Sequence, residues 1–182
     1  MPKTLKRERC SPRLQDYDYT TPGVYFITVC TYKHQCVFGK VLDGQVRLNK
    51  IGNVVMEHWR EIPEHFQNVE LDEFIIMPNH LHGLLLFIEN SKDTACRVPT
   101  PEQFGRPAPG SLSTVIRSFK SAATKNVNQL RSTPKVRLWQ PRFYEHVIRD
   151  NDNINRIREY IVNNPLRWEF DRENLDHCES ID

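Results

Sequence analysis

No stretch of this 182-residue chain is apolar for the roughly 20 residues that a membrane-spanning helix needs. The basic start is followed by no apolar run, so nothing points to export, and no membrane partner is expected. The five cysteines, Cys10, Cys30, Cys36, Cys96 and Cys178, include no CxxC pair. That speaks against a zinc knuckle and against a disulfide framework, and it suggests a reducing, cytoplasmic setting. There is no internal repeat. Net charge is only +2, too small by itself to indicate a partner.

The distribution of charge says more than its sum. Between Val115 and Arg149 stand eight basic residues, among them Arg117, Lys120, Lys125, Arg142 and Arg149, against the single acid Glu145. Much of the compensating acid comes after Asp150. Segregation of this kind favours a polyanion on one surface, although a solvated helix face produces the same pattern. Arg117, Lys120, Lys125, Arg142 and Arg149 are the candidate phosphate contacts. With 38% hydrophobic and 26% charged residues, the remainder reads as one globular domain over residues 22–170. A basic, partly mobile arm (residues 1–21) precedes it and an acidic tail (residues 171–182) follows.

Hydrophobic periodicity divides that domain into strands and helices. Gly23 to Thr31 is β-branched and aromatic throughout and reads as a strand; a short one follows over Gln45 to Leu48 after the Asp43-Gly44 turn signal. Asn49 caps a helix whose apolar positions Ile51, Val54, Val55, Trp59 and Ile62 fit a 3.6-residue period, stopped by Pro63. Val69 to Met77 and His80 to Ile88 are strands on either side of Pro78-Asn79. The unbroken apolar run from Leu84 makes the second of these central, covered on both faces. Glu89 to Gly110 is a Pro-rich loop. Ser111 or Ser113 then caps a helix to about Leu130, with Arg117, Lys120 and Lys125 turned outward. Phe143 to Arg149 is a strand, and Asp150 or Asp152 caps the last helix, which Pro165 ends. Strands and helices in this order predict an α+β fold, an antiparallel sheet with packed helices.

The chemistry concentrates at two points. In a strand, residues i and i+2 share a face, so His80 and His82 can reach one ion together. In the last helix, Tyr160 and Asn164 stand four apart and share a face as well. A histidine pair is by itself also an ordinary polar strand end, and a tyrosine beside the stripe Ile154, Ile157 and Ile161 is also an ordinary core-edge residue. Taken together, two imidazoles and an amide oxygen with open positions suit Mg²⁺ or Mn²⁺. These neutral ligands leave the ion its full charge for an anionic substrate. Tyr160 is then placed to attack phosphorus. A phenol of pKa about 10 is roughly 99.9% protonated at pH 7, so supplying the phenolate costs about 4 kcal/mol without assistance. His146, as a supporting residue, and Lys120 are the candidate helpers, and the sequence places neither beside the tyrosine. Tyr144 is a rival nucleophile that lacks an amide partner at helical spacing.

The segments GVYFITVCT, MPNHLHGLL, SLSTVIRSFKS, LWQPRFYEHVIR and REYIVNNPLRW jointly resemble the single-tyrosine HUH transposases, in particular the REP-associated tyrosine transposases, from about Tyr19 to Trp168. The resemblance implies an RRM-like central antiparallel sheet (the HUH endonuclease fold) and a divalent metal at His80, His82 and Asn164, with Tyr160 as nucleophile. It also implies cleavage and rejoining of single-stranded, hairpin-flanked DNA through a 5′-phosphotyrosine. Related replication initiators place a Lys where Asn164 stands, and relaxases place their tyrosine before the histidines, so this order favours a transposase. The alternative is a non-catalytic module of the same fold that binds structured nucleic acid. No coiled-coil or exposed apolar repeat demands a dimer, and the sequence leaves monomer and homodimer both open.

Overall fold

The computed structural model describes residues 19–89 and 108–174. Most of the expected N-terminal arm, Pro-rich loop and acidic tail lies outside these residues. The described chain runs β1 (Gly23–Cys30), β2 (Gly39–Leu42), β3 (Gln45–Leu48), α1 (Lys50–Arg60), α2 (Ile62–His65), β4 (Val69–Ile76), β5 (His80–Phe87), α3 (Leu112–Leu130), β6 (Tyr144–Ile148) and α4 (Asn151–Asn163). Four strands form one antiparallel sheet in the order β4-β5-β1-β6, so the apolar strand β5 is central, as its sequence predicts. This is the expected α+β, RRM-like architecture. β2 and β3 form a separate hairpin whose turn residues Asp43 and Gly44 both have positive φ, as a two-residue hairpin turn requires. The four residues of β2 carry too little pattern to be seen in the sequence.

Helix starts follow the capping residues. Asn49 accepts from the backbone N–H groups of Ile51 and Gly52, Ser111 from that of Thr114, and Asp150 from that of Asn153. Pro63 ends nothing by itself: it sits in the first turn of the short α2, where its missing N–H costs no hydrogen bond.

The sheet is covered on both faces, and alternation along the strands sorts the side chains. Tyr25, Ile27 and Val29 of β1 and Leu81, Leu85 and Phe87 of β5 join α1 and α3 in the main core. On this face Gly83 lies under Trp59; a Cβ there would stand 2.5 Å from the indole ring, so only glycine lets the helix approach. The opposite face presents Val24 and Phe26 of β1 and Leu84 of β5, which pack with Ile154, Ile157 and Ile161 of α4. α4 is also tied to β4 by a fork in which Arg158 Nε and Nη2 donate to both carboxylate oxygens of Asp72. Asp72 sits where the β4–β5 register shifts between Leu71 and Phe74, a bulge that re-aims its side chain toward the helix. Of the two cysteines among the described residues, Cys30 is a buried thiol and Cys36 is disulfide-bonded, a bridge the sequence reading does not foresee.

Candidate active site

His80 and His82 project from β5 to the α4 face, as their spacing predicts, and both are buried. Each ring is held through Nδ1. Asn79 Nδ2 donates to the carbonyls of His34 (3.1 Å) and Glu173 (2.7 Å), which leaves Asn79 Oδ1 as the acceptor for His80 Nδ1–H at 2.8 Å. The His80 proton is therefore on Nδ1, and Nε2 carries a free lone pair. His82 Nδ1 lies 2.8 Å from the hydroxyl of Thr28, its cross-strand neighbour on β1. His82 Nε2 lies 3.2 Å from the Tyr160 hydroxyl, and in the tautomer whose Nδ1–H donates to Thr28 it accepts from that hydroxyl. Phe26 forms the floor, its ring 5.4 Å from His82 and 6.1 Å from Tyr160, centre to centre.

Asn164 caps the C-terminus of α4 with φ −58° and ψ −40°, so the helical spacing from Tyr160 persists. Its Nδ2 donates to Asp171 Oδ2 at 2.9 Å, and its Oδ1 is buried without a partner. His80 Nε2 is likewise buried and unpartnered. Two acceptor atoms left bare in the interior on side chains that both adjoin Asp171, bonded by Asn164 Nδ2 and 4.0 Å from His80 Nε2, are what a cation-binding site offers when only protein atoms are counted. The donor set therefore fits a divalent ion.

Asp171 is the residue the sequence reading misses. Its donor atom and those of His80 and His82 lie within 4.8 Å of one another. It belongs to the segment read as an acidic tail, beyond the 3₁₀ helix Asn164–Phe170, and no helical or strand period links it to the histidines. Asn79 and Thr28 were also missed. Asn79 precedes His80 directly, and a histidine that must present Nε2 needs an acceptor for Nδ1, so that signal was present in the sequence.

The electrostatics follow from burial. Burial lowers His80 to about 3, with His34 adding to the effect. His82 is pushed well below its ordinary value, first by burial and then by His80, with Asp171 opposing. Tyr160 is pushed up to about 12 by burial and by the charges of Asp171 and Glu173, while Asn164 works the other way. The protein alone thus disfavours the phenolate, and a cation beside the phenol would reverse that.

The candidate phosphate contacts do not form one surface. Arg117 and Lys125 are exposed on α3, which packs on the sheet face away from the histidines. Arg142 and Arg149 are exposed at the two ends of the edge strand β6. Lys120 corrects the expectation of an outward lysine: its Nζ donates to the carbonyls of Gln140 (2.6 Å) and Pro141 (3.2 Å), and burial lowers it to about 8. His146 is exposed on β6 opposite Phe26, and the supporting bonds to the histidines come instead from Asn79 and Thr28. Tyr144 is also exposed on β6 and lies opposite Thr28.

No family model matches the chain. An uncharacterized protein of Haemophilus influenzae is 40% identical over 172 residues, covering 92% of this chain and 94% of its own length. A second Haemophilus influenzae protein, described as a candidate REP-associated tyrosine transposase, is 29% identical over 153 residues, covering 82% of this chain and 74% of its own length. Among solved structures, a REP-associated tyrosine transposase bound to a REP hairpin superposes with a TM-score of 0.54 at 19% identity, covering 88% of this chain and 76% of that one. That likeness concerns the fold.

Proposed function

We propose that this chain, similar in sequence to a candidate REP-associated tyrosine transposase and in fold to a solved one, is a metal-dependent transesterase acting on single-stranded, hairpin-forming DNA. The observation that carries this reading is the Tyr160 hydroxyl standing 3.2 Å from His82 Nε2, although 78 positions separate the two residues. A packed core has no need of a half-exposed phenol set on a buried histidine pair beside an unpartnered amide oxygen.

His80 Nε2, His82 Nε2 and Asn164 Oδ1 would hold the ion, Mg²⁺ or Mn²⁺. When bound, it polarises a phosphoryl oxygen and supplies positive charge. Tyr160 Oη attacks the scissile phosphorus. An Oη–P bond forms, the P–O3′ bond breaks, the 3′-hydroxyl leaves with a proton, and a 5′-phosphotyrosine remains. Rejoining is the reverse displacement by another 3′-hydroxyl. Asn79 keeps the His80 ring in the tautomer that presents Nε2 inward, and Thr28 holds the orientation of the His82 ring. Arg142 and Arg149, exposed at the ends of β6, would contact the strand that crosses this face.

Incubation with labelled single-stranded hairpin DNA from the flanks of its own gene, with Mn²⁺ or EDTA, followed by denaturing electrophoresis, tests the reading. A covalent band that needs Mn²⁺ and is lost in Tyr160→Phe is expected. Binding without an adduct would make the protein a non-catalytic nucleic-acid module, and cleavage without an adduct would make it a hydrolase that activates water.

A further inference from the structure

We infer that Asp171 is a fourth ligand of the divalent ion, so that the segment after the tyrosine helix closes the metal site; this rests on the metal-dependent reading above. His80 Nε2 and Asp171 Oδ2 stand 4.0 Å apart, with side chains 0% and 3% exposed. That separation is too long for a hydrogen bond. It suits two atoms sharing an ion, because donors about 2.1 Å from a common centre lie about 3.0 Å apart at right angles and about 4.2 Å apart when opposite. Neither group moves freely to close the gap. His80 is fixed through Asn79, and Asp171 Oδ1 accepts the backbone N–H of Glu173 at 2.7 Å.

The segment itself is fastened. The Glu173 carboxylate accepts from the Cys30 thiol at 3.3 Å and lies 3.3 Å from His34 Nδ1, while the Glu173 carbonyl accepts from Asn79. Asn79 thus sets the tautomer of His80 and holds the chain that delivers Asp171. Asp171 accepts from Asn164 Nδ2 and from the Glu173 amide, neither of which carries a full charge, so a cation shared with the two imidazoles would complete its surroundings. Two imidazoles, one amide oxygen and one carboxylate leave a divalent ion at +1, still attractive to a phosphodiester. The added oxygen also moves the set further toward Mg²⁺ or Mn²⁺.

The competing role for Asp171 is to position Asn164 alone. A Mn²⁺ titration of the full chain, read as loss of the free-ion paramagnetic resonance signal, separates the two. The wild type should bind one ion per chain, His80→Ala should bind none, and Asp171→Asn should weaken binding at least tenfold. In Asn164→Ala, where no amide is left to position, Asp171→Asn should still weaken binding about tenfold. Unchanged affinity in Asp171→Asn overturns the inference, as does a loss that vanishes in the Asn164→Ala background. A wild type that binds no Mn²⁺ removes the metal reading itself and the inference with it. Should Asp171→Asn fail to fold, Asp171→Glu keeps a carboxylate and should bind more tightly than Asp171→Ala; equal binding by the two counts against a ligand role.

Discussion

The Tyr160 hydroxyl stands 3.2 Å from His82 Nε2 and uses the lone pair that a metal ion would need. Phenol and ion compete for one atom. Tyr160→Phe is therefore expected to abolish the covalent DNA adduct while leaving Mn²⁺ binding equal or tighter and DNA affinity within about threefold. Weaker Mn²⁺ binding in this variant would show that the hydroxyl supports the ion. Tyr144, exposed and opposite Thr28, has no such bond, so Tyr144→Phe should retain the adduct.

Asp72 and Arg158 fasten the tyrosine helix to the sheet edge, and the guanidinium holds the Asp72 carboxyl below its ordinary range. A depressed acid contributes stability above its unfolded value near 3.8 and loses it as the pH falls through the lowered folded value. Asp72→Asn should lower Tm by about 2–4 °C at pH 7, since a partly exposed pair contributes little. The difference from the wild type should close as the pH falls through that lowered value. An equal difference at pH 7 and pH 2 would remove the ion pair as its cause.

The two buried histidines make a second pH signature. Both are lowered in the folded state, so below about pH 6.5 the unfolded chain binds protons that the folded chain refuses. Metal-free protein should lose up to about 2.7 kcal/mol per pH unit as acid is added, and His80→Gln about half of that. Urea unfolding between pH 7 and pH 4 in EDTA measures both slopes. Identical slopes would show that His80 is not held neutral.

Much of this site was legible in local spacing. His80 and His82 share a strand face by alternation, Tyr160 and Asn164 share a helix face because helical geometry runs through the C-cap, and the caps Asn49, Ser111 and Asp150 announce their helices. What sequence period cannot carry is contact made after a chain reversal. Asp171 reaches the histidines through the turn at Asn164–Phe170, and Thr28 reaches His82 only through the β1–β5 register. Lys120 was misread for a related reason. Its helical position marks the boundary of the buried stripe, and the acceptors that draw its stem inward, Gln140 and Pro141, lie 20 and 21 residues further on.

Gly83 lies between the site and the core, and its role is steric. It follows His82 directly, so a loss of activity on substitution invites a catalytic reading. A methyl group at this position would stand 2.5 Å from Trp59 Cζ2, and Trp59 is fully buried against Phe119, with no free space to retreat into. Gly83→Ala should cost about 1–3 kcal/mol, the usual penalty for overpacking. Mn²⁺ affinity should be unchanged at temperatures where the variant is folded, because the histidines face the other side of the sheet.

Lys120 separates phosphate contact from structural support. If it lay against DNA, Lys120→Ala would reduce the slope of log K against log salt by about 0.7–0.9. Its ammonium is instead occupied by the Gln140 and Pro141 carbonyls, which hold the segment leading into β6. The expected result is an unchanged salt slope and a stability loss of about 1–3 kcal/mol, the range for charged hydrogen bonds lost from a buried position. The sign of the pH effect follows from the lowered folded value of about 8: between there and the ordinary 10.5 the unfolded chain holds the extra proton, so wild-type stability should rise with pH across that window. Lys120→Met, which keeps the stem and removes the charge, should lose that rise. By contrast, Arg142→Ala and Arg149→Ala, exposed at the ends of β6, should each flatten the salt slope by about one contact with little change in Tm. A reduced slope in Lys120→Ala, or none in either arginine variant, would move the DNA path away from the β6 edge.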